Sequence, residues 1–574
     1  MPVQNSEIAQ IFNEIADLLE IEEANQFRVR AYRNAARKVE SYPKRIHQLV
    51  ESGESLDEIS GIGEDLAKKI KEIVETGNLI FLEELRSRTP QSLIKLLDIS
   101  GLGPKRVQKL YHELNITNIA ELRKALESGQ VSDLEGFGPK TVNNILEALE
   151  TKSFKKDRTR LDIAEQFVDP LVDYLKDLDF VEDAAVAGSF RRRKETVGDL
   201  DIIATSNEGQ KVCEAFVKFD SISEVLSQGE TKASVKLRSG LQVDLRVVKK
   251  ESYGAAMLYF TGSKAHNIQL RNIAVDEGYK VNEYGVFEND DFILGQTEEE
   301  IYDFFDMPFI VPELREDSGE IEAALNHKLP DLVHLEDIRG DLQMHTTESD
   351  GENTLEEMAS EAKRLGYEYI AVSDHTSHIG VTQGLNADEA ADYINKIDEF
   401  NQNNTNQVQV LKGIEVDIFK DGSLDLPDEI LEHMDIVLVS IHSNFDLSEE
   451  KQTARIIKAL ENPNVNVLAH PTTRMIGSRE PIKVDLQAIM EKALELGCFL
   501  EINASPERLD LKGDDVRRSR ELGLKLVIST DAHRKSELAN MRYGVYQARR
   551  GWASKSMILN TLSLDNLQQE LKRN

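Results

Sequence analysis

Two cysteines, Cys213 and Cys498, are all that the 574 residues contain, and they lie far apart in motif-poor surroundings. That excludes a disulfide framework and points to a reducing, cytoplasmic setting. No apolar run is long enough to span a bilayer, so no membrane partner is expected. The amino terminus, Met1-Pro2-Val3-Gln4-Asn5-Ser6-Glu7, lacks the basic and apolar regions of a signal peptide. Tryptophan occurs once, as Trp552, and no chemistry is readable around it or in the helix after Ser563. Positive charge is scarce as well: 69 Lys and Arg against 103 Asp and Glu give a net charge of −34. Taken alone, that balance argues against nucleic acid. Its distribution weakens the objection, because residues 281–337 hold 17 acidic and 2 basic side chains. Residues 151–250 hold 18 of each sign, with Lys155, Lys156, Arg158, Arg160 and Arg191 to Lys194 clustered. Low, salt-sensitive affinity for bare duplex follows. A chain of this length holds several domains.

The chemistry is concentrated in a few places. Gly188-Ser189-Phe190-Arg191-Arg192-Arg193 is followed by Gly198-Asp199-Leu200-Asp201. In a strand, alternate side chains share a face, so Asp199 and Asp201 project together. Two carboxylates so placed repel unless a divalent cation lies between them. Mg2+ (or Mn2+) suits hard oxygen ligands and substrate phosphate. Upstream, Gly188 and Ser189 offer backbone N–H and hydroxyl groups, and Arg192 offers a planar fork for phosphate. Leu241 to Val248 reads as a buried strand carrying Asp244 and Arg246 on one face. Three acids on neighbouring strands can hold two metals, one activating a hydroxyl nucleophile and the other bracing the triphosphate. Arg246 either orients and neutralises one of these acids or forms a surface ion pair.

The order Gly-Ser-x-Arg-Arg, Gly-Asp-x-Asp, Val-Asp-x-Arg, then Tyr259-Phe260-Thr261-Gly262-Ser263, resembles the palm of the family X DNA polymerases. The resemblance implies metal ligands at Asp199, Asp201 and Asp244, and triphosphate contacts from Ser189, Arg192 and Gly198. It places Tyr259 and Phe260 against the sugar, where the backbone disfavours a ribose 2′-hydroxyl. Asn267 falls where the family contacts the incoming base, and Arg271 where it reads the template's minor-groove side.

Three Gly-apolar-Gly turns mark the amino-terminal third: Gly61 and Gly63, Gly101 and Gly103, Gly136 and Gly138. Each is trailed by an amphipathic helix, Leu66 to Val74, Arg106 to Leu114 and Thr141 to Leu149. The glycines permit a tight turn, and the next helix presents unpaired N–H groups to a DNA phosphate, with a monovalent cation docking there too. This is the helix-hairpin-helix signature, which grips backbone without reading sequence; the third copy is either a DNA contact or purely structural. The family X resemblance also puts a Schiff-base lysine for opening abasic sugars at Lys69. Such a nucleophile must be neutral, which Lys68 would favour and Asp65 oppose. An exposed helix lysine is the alternative reading of Lys69.

After residue 312 the sequence is acidic and aperiodic to Asp337. Strict strand–helix alternation follows, and the apolar strand candidates end in His345, His375, Glu415, His442, His470, Asn503 and Asp531-Ala532-His533. Helices such as Leu355 to Leu365, Ala454 to Leu460 and Leu486 to Leu496 come between. That is about seven βα units, a barrel related to the TIM fold, in which ligands at carboxyl ends converge on one mouth. His345, His375, Glu415, His442, His470, Asp531 and His533 form a nitrogen and oxygen set suited to Zn2+, Mn2+ or Fe2+. This half is similar to the PHP (polymerase and histidinol phosphatase) phosphoesterases, which implies a two- or three-metal cluster hydrolysing phosphate esters with Asp350 as a further ligand. Where that family commonly has His-x-His, this chain has Gln343-Met344-His345. A neutral amide oxygen ligates Zn2+ weakly, so the departure favours manganese.

The expected fold is multidomain, with an α-helical helix-hairpin-helix region, an α+β nucleotidyltransferase palm and an α/β PHP domain as a distorted (βα)7 TIM-like barrel. Its parts are 1–80 helical, DNA-binding and lyase-like; 81–155 helical with two further hairpins; 156–250 palm; 251–312 nucleotide selection; 313–337 acidic linker; and 338–574 PHP phosphoesterase. The expected activity is gap-filling, DNA-directed DNA synthesis from dNTPs on gapped or primer–template DNA by a monomer. A 3′–5′ exonuclease would clean 3′ ends and act at abasic sites or 3′-phosphates. The alternatives are a template-independent nucleotidyltransferase, a barrel acting on a non-DNA phosphomonoester, and a DNA-binding scaffold with decayed sites.

Overall fold

The computed structural model describes residues 3, 5–40, 42, 46–59, 61–89, 91–97, 99, 102–150, 158–377, 384–403 and 408–572. The chain divides into two compact units, the first being residues 1–159, 163–186 and 196–248 and the second 160–162, 187–195 and 249–574.

The first unit begins as helices. Asn5–Ile21 and Gln26–Glu40 bury Phe12, Ile15, Leu18 and Tyr32 in one core with Ile70 and Ile73 of the hairpin helix Glu64–Thr76. That helix stops at Gly77, whose left-handed backbone donates to Ile73 O. A second core gathers Val107 and Leu110 of helix Pro104–Leu114 with Phe137 and Ile145. The unit also holds a five-stranded sheet, in the order Asp183–Val186, Asp199–Thr205, Gln242–Val248, Lys232–Leu237 and Ile222–Gln228. Asp199–Thr205 and Gln242–Val248 are parallel neighbours, and all other pairings are antiparallel. One face carries Leu200, Ile202, Val243 and Leu245, all fully buried, and helix Gly209–Phe216 adds Val212, Cys213 and Phe216 to the buried set. The opposite face carries the carboxylates. Apolar alternation in two strands therefore decides where the acids point.

In the second unit, helices Tyr253–Thr261 and Lys264–Asp276, a three-stranded antiparallel sheet and helix Glu298–Phe304 share a core with Leu314, Ala324, Leu332 and Trp552. Residues 313–337, read from sequence as a linker, are thus built into this core. Arg315 is fully buried, donating to Glu298 Oε1 at 2.5 Å and to Ile310 O at 2.8 Å. Beyond it, seven parallel strands follow one another in chain order: Gly340–Asp341, Tyr369–Val372, Gln409–Asp417, Ile436–Ser440, Val467–Leu468, Phe499–Asn503 and Leu526–Ser529. A parallel bridge from Met344 to Ala532 brings the last strand's end back to the first's, so the sheet is a nearly closed barrel. Its inner core, with Tyr369, Leu411, Leu438 and Val527, includes Leu567 and Leu571 of the terminal helix. Among the described residues, no helix is long and apolar enough to cross a membrane.

Candidate active sites

The register of the parallel strand pair sets Asp201 directly opposite Asp244 and Asp199 opposite Gln242. All four positions lie on the half-buried face, as does Arg246, opposite Ile203 and Lys232. The Gln242 amide donates to both Asp244 oxygens, at 3.2 and 3.1 Å. The three acids share a face, but they are not among the described sets of metal-competent side chains whose ligand atoms all lie within 4.8 Å of one another. Gln242 had no signal of its own in the sequence beyond its place in the alternation. Gly198 precedes the first of these strands, and a Cβ there would come 3.6 Å from Arg158.

The other expected nucleotide contacts belong to the second unit. Gly188, with a left-handed φ of +64°, opens the short turn Gly188–Arg191 that includes Ser189. Arg192 donates from Nε to Glu316 Oε1 at 3.1 Å and from Nη1 to Thr261 O. Tyr259 and Phe260 meet edge to face, 5.1 Å between centroids, at the end of a helix that Gly262 stops. Asn267 donates to Tyr259 O at 2.7 Å, while its buried Oδ1 has no hydrogen-bond partner. Arg271 donates to Asn267 O at 3.2 Å.

Among the hairpins, Gly61 and Gly136 take left-handed backbones, and Gly63 and Gly103 sit at the N-caps of their helices. A Cβ at Gly63, Gly103 or Gly138 would meet nothing within 4 Å. Internal packing does not demand glycine there; the bare backbone is left facing open space. Gly101, Lys155 and Lys156 lie outside the described residues. Lys69 pairs with Asp65 and sits 5.9 Å from the ring centroids of both Tyr32 and Phe81, its side chain 15% exposed, whereas Lys68 is 73% exposed and bonded to Glu64. The exposed-lysine reading thus fits Lys68 and not Lys69.

At the barrel mouth the expected side chains converge. Glu415 is the hub: its Oε2 lies 3.4 Å from His345 Nε2 and 3.5 Å from His375 Nδ1, and its Oε1 lies 3.0 Å from His470 and 3.5 Å from His442. Asp531 Oδ1 lies 3.0 Å from His345, and Asp350 Oδ1 lies 3.4 to 4.0 Å from His533, His375 and His345. Three overlapping sets form: His345, Asp350, His375 and His533; His375, Glu415 and His442; His345, Glu415 and Asp531. Gln343 donates to Glu415 Oε2 at 2.9 Å, leaving its buried Oε1 without a partner. His345, His375 and His470 each also bury an Nδ1 that makes no hydrogen bond. So many lone imidazole nitrogens among carboxylates suit divalent cations.

The charges respond to this crowding. Burial raises Glu415's pKa, but His375, His470 and His442 overcome it and hold it well below the carboxylate range. Burial likewise raises Asp350, yet His533 and its neighbours bring it far down. Burial pushes His375 down to about 4, whereas bonds and charges from Asp350 and Asp531 outweigh burial and raise His533 to about 10. Asp374 accepts from Thr346 N, Thr346 Oγ1 and Ser349 Oγ at 2.6–2.8 Å, fixing the loop that carries Asp350. Gly351 in that loop has no room for a Cβ, which would lie 2.5 Å from His345 O. Sequence reasoning missed Asp417, which accepts from His442 Nδ1 at 2.9 Å, and Arg508, 3.4 Å from Asp531 Oδ2; Asn503, read from sequence only as a strand end, donates to that same oxygen at 3.1 Å. Asp417 was findable, two residues beyond Glu415 on one strand face.

These parts define a polymerase palm and thumb joined to a metal-dependent phosphoesterase barrel, and family comparisons agree. Family models match for a helix-hairpin-helix domain at residues 3–79, a SAM-like helix-hairpin-helix tandem at 93–151, a DNA polymerase beta thumb at 256–316 and a PHP domain at 341–505. The chain belongs to the family X DNA polymerases that carry a PHP domain. It is 36% identical over 576 residues, all of both chains, to the DNA polymerase/3′-5′ exonuclease PolX of Bacillus subtilis (strain 168). DNA polymerase lambda of Arabidopsis thaliana is 25% identical over 351 residues, 55% of this chain and 62% of that one. A probable phosphatase of Thermoanaerobacter sp. (strain X514) is 29% identical over 238 residues, 38% of this chain and 89% of its own.

Proposed function

We propose that the protein is a gap-filling DNA-directed DNA polymerase of DNA repair, in the cytoplasm, with a 3′–5′ exonuclease in its barrel. The observation that carries the synthetic half is the register that sets Asp201 opposite Asp244, with Asp199 two residues away on the same face. Those three acids would hold Mg2+ or Mn2+; His345, Asp350, His375, Glu415, His442, His470, Asp531 and His533 would hold Mn2+ or Zn2+. Bound there, divalent cations supply Lewis acidity and neutralise phosphate charge. Gly188, Ser189, Arg192 and Gly198 receive the triphosphate of a dNTP, and Gly262 ends the helix so that Tyr259 and Phe260 meet the sugar. Asn267 offers its unpartnered Oδ1 to the base, Arg271 reaches the template strand, and Arg246 balances the acids. Gly61, Gly63, Gly101, Gly103, Gly136 and Gly138 let DNA backbone and a monovalent cation approach helix N-termini. Apart from residues 313–337, which pack into the core of the preceding subdomain, the domain boundaries are those read from the sequence, and the enzyme acts as a monomer on gapped or primer–template DNA. Aromatic cover suits Lys69 to lyase chemistry once Asp65 is displaced.

Gapped and ungapped primers with dNTPs test this directly. Asp201→Asn is expected to abolish extension and spare 3′-end removal, and His375→Ala to do the reverse. Full extension by Asp201→Asn refutes the palm assignment; extension without any template favours a template-independent transferase. The phosphatase-like relative supports a second reading of the barrel, a non-DNA phosphomonoester as substrate. Release of phosphate from histidinol phosphate with Mn2+, without DNA trimming, would select it.

A further inference from the structure

Part of the expected nucleotide cradle, residues 187–195, lies in the same compact unit as the barrel. Arg550, the last residue of helix Met541–Arg550, donates from Nη1 to the backbone carbonyl of Arg192 at 2.8 Å and to Glu316 Oε1 at 3.1 Å. That same oxygen accepts from Arg192 Nε at 3.1 Å, while Glu316 Oε2 lies 3.3 Å from Lys194 Nζ. One carboxylate therefore gathers three cations, two from the cradle and one from the barrel half. Arg192 and Arg550 are 12% and 10% exposed, so solvent screens these pairs little. Two further contacts hold the loop. Arg193, at a left-handed φ of +55°, places its guanidinium 4.5 Å from the Tyr546 ring centroid, four residues before Arg550. Glu195 receives both prongs of Arg474, at 3.1 and 2.8 Å. A left-handed backbone at a residue with a side chain persists only where its surroundings hold it.

We propose that Arg550 is a positioning residue for DNA synthesis: from the barrel half, it fixes Arg192 and the counter-charge Glu316 in the arrangement that receives a nucleotide triphosphate. This rests on reading residues 188–198 as the triphosphate cradle. A guanidinium already held needs no ordering when phosphate arrives. Without Arg550, the Arg192 backbone loses an anchor and Glu316 is shared by fewer cations, so it competes harder with phosphate for the Arg192 fork. Both effects weaken nucleotide binding. Neither touches the barrel's own chemistry.

The test uses the full chain on a gapped duplex. Arg550→Gln is expected to raise KM for the incoming dNTP about fivefold, with kcat within about twofold and 3′-end removal unchanged. The unchanged removal shows that the barrel is folded. In the double variant Arg192→Ala with Arg550→Gln, KM is expected to match that of Arg192→Ala alone, because the two residues act as one unit. An unchanged KM in Arg550→Gln, or effects that multiply in the double variant, overturns the proposal. If Arg550→Gln loses both activities, Arg550→Lys decides: a KM raised about twofold supports the proposal and an unchanged KM overturns it. Arg192→Ala with unaltered KM would remove the cradle reading itself, whereas a raised KM there with none in Arg550→Gln removes only the role of Arg550.

Discussion

Glu415, near the end of its strand, has His345 and His375 facing one oxygen and His442 and His470 facing the other, all within 3.5 Å. Such an arrangement depends on residues that orient the imidazoles, and Asp417 does this for His442. Asp417→Ala is expected to cut 3′-end removal about 10–100-fold and leave gap filling untouched, measured on one DNA with a recessed 3′ end. His533 gives the site its pH dependence. Its pKa, raised from the usual histidine range to about 10, keeps the ring protonated at neutral pH in the metal-free barrel. A metal takes the neutral ring, so loading expels a proton, and Mn2+ affinity rises with pH by about tenfold per unit for one proton released. Calorimetry in buffers of different protonation enthalpy measures that proton; pH-independent affinity would contradict it. At this scale the sequence was readable wherever a ligand ends a strand, because barrel topology gathers strand ends. Arg508 escaped because it acts from a loop whose path no local pattern sets.

At the scale of elements, the hairpins show how a helix becomes a contact. Gly63 caps Glu64–Thr76 at φ −79°, a conformation any residue adopts, with open space where a side chain would stand. Gly63→Val is therefore expected to shift the melting temperature by about 2 °C or less. It should weaken binding to gapped DNA severalfold, because the branched side chain holds phosphate away from the helix N-terminus. Equal affinity of Gly63→Val and the parent, by fluorescence anisotropy, would count against this hairpin as a DNA contact. The hairpin helices were legible from Gly-apolar-Gly and amphipathic spacing, and the paired acidic strands from alternation. Residues 313–337 were not. Their acidity reads as solvated chain because the buried partners, Arg315 with Glu298 and His266 with Glu320, come together only through the fold.

For the molecule as a whole, two chemistries on one chain make each separable by substitution, and that bears on how the chain can be divided. A boundary drawn at residue 312 looks natural on paper, since the acidic sequence beyond it shows no strong apolar periodicity. It would sever Arg315, fully buried, from Glu298, which holds its low pKa against burial through Arg315 and Arg191. A fragment ending there loses one of the two guanidinium partners of a buried carboxylate, a defect on the order of a few kcal/mol. Thermal melts should place a fragment ending at residue 312 well below one ending at residue 337, and equal melts would refute this. Anyone dissecting the polymerase from the nuclease thus meets no hinge at that point, but a keystone: lift it out, and the thumb's interior is left with a carboxylate that only Arg191 still balances.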